Sequence, residues 1–262
     1  RLEAGLTARA DELAEVATAE VGTPLRVSKL LHAQAPISAL TNFRALMPEL
    51  QLEEKIGSSV VVREPVGVVA VITSWNYGLQ QLLGKAGAAL VTGCTVVAKP
   101  PQVSPLSAFI TAEVIHEVGF PPGVFNLVSG SGRAVGVALS THPDVDMVHF
   151  TGSTAVGRAI GAAAAQTVKR TALELGGKSA NVLLDDADLP QAVKVGVANC
   201  FTNSGQTCTA WTRMLVHRSQ LADVEALVAD RVRRYRLGDP MDPSTTMGPL
   251  ASAEQQETVR GF

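Results

Sequence analysis

The 262 residues are 46% hydrophobic and 18% charged, with a formal net charge of −2. That balance suits a soluble chain with a sizeable core and leaves no basic footprint for nucleic acid. The apolar runs are short and broken by glycine, so none spans a bilayer as a helix, and Cys94, Cys200 and Cys208 are an odd set without metal-ligand spacing, which predicts free thiols, no metal and a cytoplasmic location.

No signal peptide is visible from Arg1 onward, although a chain that does not begin with Met leaves an earlier segment open. Leu6, Ala10, Leu13, Ala17 and Val21 recur at helical spacing, which predicts a helix from Arg1 to Gly22, ended by Gly22-Thr23-Pro24. A second helix is expected over Val27 to Met47, with Pro36 as a kink or start. Gly57 to Arg63 reads as a strand broken by Glu64-Pro65. From Val66 the texture changes: Val66 to Ile72 is a nearly continuous apolar strand, as expected where both faces are covered. Helices follow over Leu79 to Thr92, Pro105 to Val118, Ala134 to Ser140 and Ala155 to Ala165. Strands alternate with them at Thr95 to Pro100, Val124 to Val128, Val145 to Phe150 and Thr171 to Leu175. This alternation on short connections predicts an α/β fold with a parallel sheet covered on both faces. Its strand C-termini share one edge, where Lys99, Ser153 and the Asn76 loop converge as a candidate ligand cleft.

Two features carry less than they suggest. Gly130-Ser131-Gly132-Arg133-Ala134-Val135-Gly136 follows a strand, but its last gap is one residue too long for a dinucleotide fingerprint, so a tight turn is the better reading. Arg231 to Arg236 holds four arginines, read as the solvated face of an amphipathic helix rather than a nucleic-acid patch.

Cys208 carries more. It lies in the polar segment Asn203-Ser204-Gly205-Gln206-Thr207-Cys208-Thr209, where a thiolate can serve as a nucleophile once locally activated. Upstream, Glu174 is followed by Leu175-Gly176-Gly177-Lys178, and flanking glycines let substrate or water approach a carboxylate acting as general base. Together they suggest covalent thiol chemistry followed by base-assisted hydrolysis. Each has a plainer reading: a structural thiol and a solvated carboxylate. Cys94 and Cys200 lie in apolar runs and read as core thiols. Lys178 reads as structural or exposed. Asn76 can simply cap a helix, and Lys99 can be an ordinary strand-end lysine.

Trp75-Asn76, Lys99-Pro100, Phe150-Thr151-Gly152-Ser153-Thr154, Glu174 to Lys178 and Gly205-Gln206-Thr207-Cys208 occur in an order and spacing that, almost end to end, resembles the NAD(P)-dependent aldehyde dehydrogenase superfamily. The resemblance implies a Rossmann-type parallel-sheet cofactor domain followed by the start of an α/β catalytic domain. The expected boundaries are an N-terminal region at 1–64, the dinucleotide-binding domain at 65–172 and a partial catalytic domain at 173–262. It implies that Cys208 attacks the aldehyde carbon to give a thiohemiacetal, that hydride loss leaves a thioester, and that Glu174 activates the hydrolytic water. Asn76 would donate to the oxyanion together with the Cys208 backbone N–H, and Lys85 would support proton movement. For NAD or NADP it implies contacts from Lys99, Gln102, Thr73, Ser74, Trp75, Thr151, Gly152, Ser153, Val156, Leu175 and Gly176. Tyr77, Gln80, Gln81, Gly84, Thr207 and Thr209 would line the substrate pocket. Relatives are usually homodimers or homotetramers.

The sequence departs from the family pattern in three places. Ser74-Trp75-Asn76-Tyr77-Gly78 replaces the common Pro-Trp-Asn-Phe-Pro, and Gln80, Gln81 and Gly84 follow where relatives carry bulky apolar residues. A roomier, more polar pocket is the expectation. Gln102 stands where NAD-preferring members have a glutamate that repels a 2′-phosphate, so NAD and NADP both remain open. The chain is about half the usual length and ends before the Glu-x-Phe-Gly-Pro motif that relatives use on the nicotinamide ribose, so the 262 residues alone are expected to be inactive or nearly so. Two alternatives accompany the dehydrogenase reading. A CoA-acylating enzyme of the same fold is disfavoured by Glu174. A non-catalytic remnant acting as a binding protein is favoured by the short chain and disfavoured by the intact Cys208, Glu174 and Asn76.

Overall fold

The computed structural model describes residues 1–262. In chain order the helices and strands are α1 Leu2–Ala8, α2 Ala10–Val21, α3 Leu25–Ser28, α4 Ala35–Leu46, β1 Glu53–Ile56, β2 Ser59–Val62, β3 Val68–Ile72, α5 Gly78–Val91, β4 Thr95–Lys99, α6 Leu106–Glu117, β5 Phe125–Leu127, α7 Val137–Thr141, β6 Met147–Gly152, α8 Thr154–Ala165, β7 Arg170–Leu175, β8 Ala180–Val182, α9 Leu189–Phe201, β9 Arg213–Leu215, α10 Leu221–Val232 and α11 Ala253–Arg260. No helix is long and apolar enough to cross a membrane. The chain divides into two compact units, residues 1–16 with 29–175, and residues 17–28 with 176–262.

The first unit is built on a parallel five-stranded sheet of order β5-β4-β3-β6-β7, the parallel α/β architecture expected from the sequence. Alternation along the strands separates two cores. Val69, Val71 and Val96 pack with Leu82 and Ala86 of α5 on one face. Ala70, Ile72, Val148 and Phe150 pack with Ile160 of α8 on the other. β3 is flanked by β4 on one side and by β6 on the other, so the strand order reverses between β3 and β6. In open α/β sheets the crevice at the carboxyl ends of such a strand pair is where ligands bind. Here those ends lead into Thr73–Asn76 and Thr151–Ser153.

The second unit has a parallel pair, β8 and β9. Leu183, Val193, Val197 and Val224 form its core, joined by Phe201, Met214 and Tyr235.

Local differences from the sequence reading have physical causes. The first helix is interrupted at Arg9, which forms ion pairs with Glu12 at 2.6 Å and Glu113 at 2.7 Å. The second helical run widens into a π-helical segment at Lys29–Gln34, and Pro36, which has no backbone donor, stands in the first turn of the α-helix that follows. The strand expected at Gly57–Arg63 is the second arm of a hairpin. Its partner, Glu53–Ile56, was hidden because its charged, exposed residues show no apolar alternation. Gly132–Gly136 is also π-helical, started by Ser131 accepting from Ala134 N at 3.1 Å, consistent with a turn rather than a fingerprint. α10 stops at Val232, so Arg233–Arg236 lie beyond the helix expected to carry them; Arg234 pairs with Asp230 at 2.6 Å.

Candidate active site

In the first unit the turn after β3 carries Thr73, Ser74, Trp75 and Asn76, and α5 starts at Gly78. Asn76 does not cap α5: the capping position is Tyr77, without a side-chain cap bond. Asn76 Oδ1 instead accepts from Ser74 Oγ at 2.6 Å and from Gln81 Nε2 at 3.3 Å. Gln81, expected to face a pocket, is therefore turned toward Asn76. Tyr77 stacks on the buried His32 ring, centroids 5.2 Å apart, which steadies the turn from its other side. Gln80 is exposed. A side-chain carbon placed on Gly84 would meet nothing within 4 Å, so this position leaves open space.

Strand register gathers a second group. His149 pairs with Ala172 and Val71, and Thr151 pairs with Glu174, so His149, Thr151 and Glu174 project from one sheet face. Val71 belongs to the core that α5 covers, and the buried Lys85 lies on α5 between Leu82 and Ala86. His149 is pushed down to about 4, chiefly by burial and then by the Lys85 charge, with Glu174 opposing. His149, a neighbour of both expected proton-handling groups, was not singled out from sequence. A histidine in an otherwise apolar strand was the signal available.

This depressed pKa links stability to pH. The unfolded chain binds a proton near the ordinary 6.5 and the folded chain only near 4. Stability is therefore full above about 6.5 and falls as pH drops from there toward 4, by on the order of 2 kcal/mol from this group. His149→Gln is expected to lose less stability than wild type between pH 7 and pH 4.5, as read by urea unfolding. Equal losses in the two proteins would show that His149 does not contribute.

Lys99 closes β4 with its ammonium buried, donating to Pro100 O at 2.7 Å, and burial pushes its pKa down. Such a cation has room in its hydrogen-bonding capacity for further acceptors. Thr151 Oγ1 is buried with no hydrogen-bond partner, a state that costs about 1–3 kcal/mol unless a ligand or water satisfies it. Ser153 caps α8, its Oγ accepting from Val156 N at 3.4 Å, so the free N–H groups of the first turn form an anion-favouring end. A side chain on Gly152 would run into the Phe150 ring, so packing alone demands glycine there. Gln102 and Val156 are exposed and Leu175 is half-buried. Lys99 pairs with Ile72 and so lies on the sheet face that α8 covers, whereas Thr151 lies on the opposite face with His149; the buried cation and the helix end on that α8 face fit a polyol-phosphate ligand such as a dinucleotide.

In the second unit Cys208 is exposed. The segment before it has three successive left-handed residues, Asn203 (φ 56°), Ser204 (φ 57°) and Gly205 (φ 78°). Only glycine adopts this region without penalty; the other two cost on the order of 1 kcal/mol each. Side-chain bonds hold them there. Asn203 accepts from Thr23 Oγ1 and donates to Gln206 O at 3.3 Å, and Ser204 Oγ donates to Gly248 O at 3.1 Å. Gln206 is buried. Its Nε2 donates to Val21 O at 3.1 Å and its Oε1 accepts from Ala251 N at 2.8 Å. Gln206, which served only as a motif letter, fastens the cysteine segment to two distant stretches. Asn203 and Thr23 were missed, although Asn tolerates left-handed backbone better than most residues.

Thr207 Oγ1 donates to Thr202 O at 3.1 Å, and Thr209 is exposed. Gly176 and Gly177 are exposed, and a carbon added to Gly177 would lie 3.3 Å from Cys208 O, so a bare backbone passes beside the thiol's own residue. Cys94 is buried. Cys200 is half-buried rather than fully in the core, and burial pushes its thiol up, away from the reactive thiolate. Lys178 is exposed, 5.1 Å from the Phe262 ring centroid. The candidate residues thus divide: Asn76, Lys85, Lys99 and Glu174 in the first unit, Cys208 and Gly176 in the second.

Known proteins of similar sequence and structure match this chain over nearly all of its length. A 3-succinoylsemialdehyde-pyridine dehydrogenase of a Pseudomonas species is 49% identical over 251 residues, covering 95% of this chain and 53% of that protein. The structure of the aldehyde dehydrogenase AldC mutant of Pseudomonas syringae, with NAD+ and octanal, superimposes with a TM-score of 0.98 at 42% identity, over 100% of this chain and 54% of that one. The NAD+ complex of a Bacillus cereus aldehyde dehydrogenase gives 0.96 at 37%, over 99% and 54%. The chain spans about half the length of the relatives it matches. The aldehyde dehydrogenase family pattern fits residues 1–262 throughout, and the chain belongs to that family.

Proposed function

We propose that the protein oxidises an aldehyde to a carboxylic acid, with a nicotinamide dinucleotide as hydride acceptor. The observation that carries this reading is the family match over residues 1–262 in a chain that retains Cys208, Glu174 and Asn76. In this reading the Cys208 thiolate adds to the carbonyl carbon. Asn76 Nδ2 and the Cys208 backbone N–H hold the oxygen as it gains charge, contributing a few kcal/mol of barrier lowering. The dinucleotide, when bound, supplies the hydride acceptor. Cys208 is left as a thioester, and Glu174 takes a proton from the water that hydrolyses it. His149 shares a sheet face with that carboxylate and feels the charges of both Lys85 and Glu174, so Lys85 and His149 would offer a route for the proton.

Lys99 would hold the adenosine ribose, and Ser153 with the start of α8 the pyrophosphate. Thr73, Ser74, Trp75, Thr151, Gly152, Val156, Leu175 and Gly176 complete the proposed cofactor surface. NAD+ is supported by the complexes of two relatives, while the neutral Gln102 leaves NADP+ unopposed. The open space at Gly84 and the hydroxyl of Tyr77 support a polar semialdehyde over a simple alkanal, as does the name of the 49% identical relative. Gln80, Thr207 and Thr209 are the other proposed substrate contacts. The exposed apolar hairpin, Ile56 and Val60–Val62, supports a homo-oligomer.

The test is aldehyde-dependent reduction of NAD+ and NADP+ by the protein as expressed from its gene, with the acid identified as product. A polar semialdehyde is expected to exceed hexanal in kcat/KM by about tenfold or more, the worth of a polar contact or two. A strong hexanal preference would reject the polar pocket. No cofactor reduction, with Cys208 alkylated no faster than Cys94 and Cys200, would reject the catalytic reading in favour of a binding protein.

A further inference from the structure

The hydrogen bonds around Asn76 have only one consistent direction. The Ser74 backbone N–H donates to Gln81 Oε1 at 2.7 Å. A backbone nitrogen cannot accept, so the oxygen end of the Gln81 amide must face it and the amino end must face away. That amino group lies 2.8 Å from Ser74 Oγ and 3.3 Å from Asn76 Oδ1. Ser74 Oγ thus accepts a hydrogen bond from Gln81 Nε2 and donates its own to Asn76 Oδ1 at 2.6 Å rather than to Gln81 Oε1 at 3.1 Å. With its oxygen engaged by two donors, the Asn76 carboxamide presents Nδ2 as its other end. One backbone amide therefore sets the polarity of three side chains.

We infer that Gln81 and Ser74 are positioning residues that fix Asn76 with its amino end toward the reacting oxygen; this rests on Asn76 being the oxyanion donor proposed above. A carboxamide free to flip would present Oδ1 to a developing negative charge for part of the time, repelling it. A donor held in place beforehand costs no reorganisation at the moment of reaction. The pairing also depends on both departures from the common Pro-Trp-Asn-Phe-Pro pattern region, because proline has neither the N–H nor the hydroxyl that Ser74 contributes and an apolar residue at 81 has no amide.

The test is a double-mutant cycle with Gln81→Leu, Gln81→Glu and Asn76→Ala, each checked for an unchanged thermal midpoint. Gln81→Glu keeps an acceptor for the Ser74 N–H but has no donor and draws the Ser74 hydroxyl toward itself. Both Gln81 variants are expected to lower kcat and kcat/KM by the same factor, about tenfold, with KM unchanged, the mark of an interaction made in the transition state. In an Asn76→Ala background neither is expected to lower kcat further, because Gln81 acts through Asn76. A rise in KM at constant kcat, or losses that multiply in the double variants, would overturn the inference and return Gln81 to the pocket wall. Full activity in Asn76→Ala would instead overturn the oxyanion reading itself, and this inference with it.

Discussion

Cys208→Ser is expected to remove aldehyde oxidation by at least ~10³-fold, since a serine hydroxyl has almost no anion at neutral pH and a thiolate is the stronger nucleophile. The substitution changes one exposed atom and leaves the bonds of Asn203, Ser204 and Gln206 intact, so the thermal midpoint is expected to hold. The same variant is expected to lose hydrolysis of an activated ester, which needs the nucleophile but no cofactor. Cys200→Ser is expected to keep both activities, because that thiol is half-buried and burial pushes it up. Steady-state rates and alkylation kinetics on the wild type and the two variants settle the matter. Residual turnover above about 10% of wild type in Cys208→Ser would mean the thiol is not the nucleophile.

Cys208 was legible in the sequence, and its support was not, for physical reasons. Cys208, Glu174 and Asn76 are chemical types whose spacing survives in one dimension. The parallel sheet was legible for a similar reason. Val66–Ile72 is too apolar to face water on either side, and the helix–strand alternation leaves few topologies. The orientation of Gln81 was not legible, because a polar residue one turn into a helix can face solvent, a pocket or its own preceding turn, and only the Ser74 N–H decides between them. The left-handed run at Asn203–Gly205 was hidden because only one of its residues is glycine. The bonds that compensate it come from Thr23, Val21 and Ala251, far away in sequence. His149 lay in a strand correctly placed, but Lys85 and Glu174, whose charges act on it, belong to α5 and β7, and only the β6–β7 register together with the packing of α5 on that sheet face brings the three within electrostatic reach.

Glu174→Gln is expected to separate the two halves of the reaction. The amide keeps the size of the carboxylate and its place opposite Thr151 in the β6–β7 ladder, so substrate binding and the first half should proceed. It cannot take a proton from water, a loss worth about 10²–10⁴-fold for a general base. The expected result is a burst of about one equivalent of reduced cofactor per active site, followed by turnover slowed by about that factor. During the slow phase the acyl group should be recoverable on the Cys208 peptide by mass spectrometry. Hydroxylamine should restore turnover in part, because it attacks a thioester without a base and leaves a hydroxamate. The wild type should show neither the burst nor a dependence on CoA. Unchanged steady-state turnover in Glu174→Gln would reject Glu174 as the hydrolytic base, and acceleration of the wild type by CoA with acyl-CoA as product would identify a thiol, rather than water, as the acceptor. A variant with no burst at all would place Glu174 in the first half of the reaction. Glu174 and Lys85 both act electrostatically on His149, which makes the burst the informative readout. A disturbance of Lys85 and His149 would slow hydride loss and lower the burst rate, whereas loss of the base alone leaves the burst fast and slows only thioester hydrolysis.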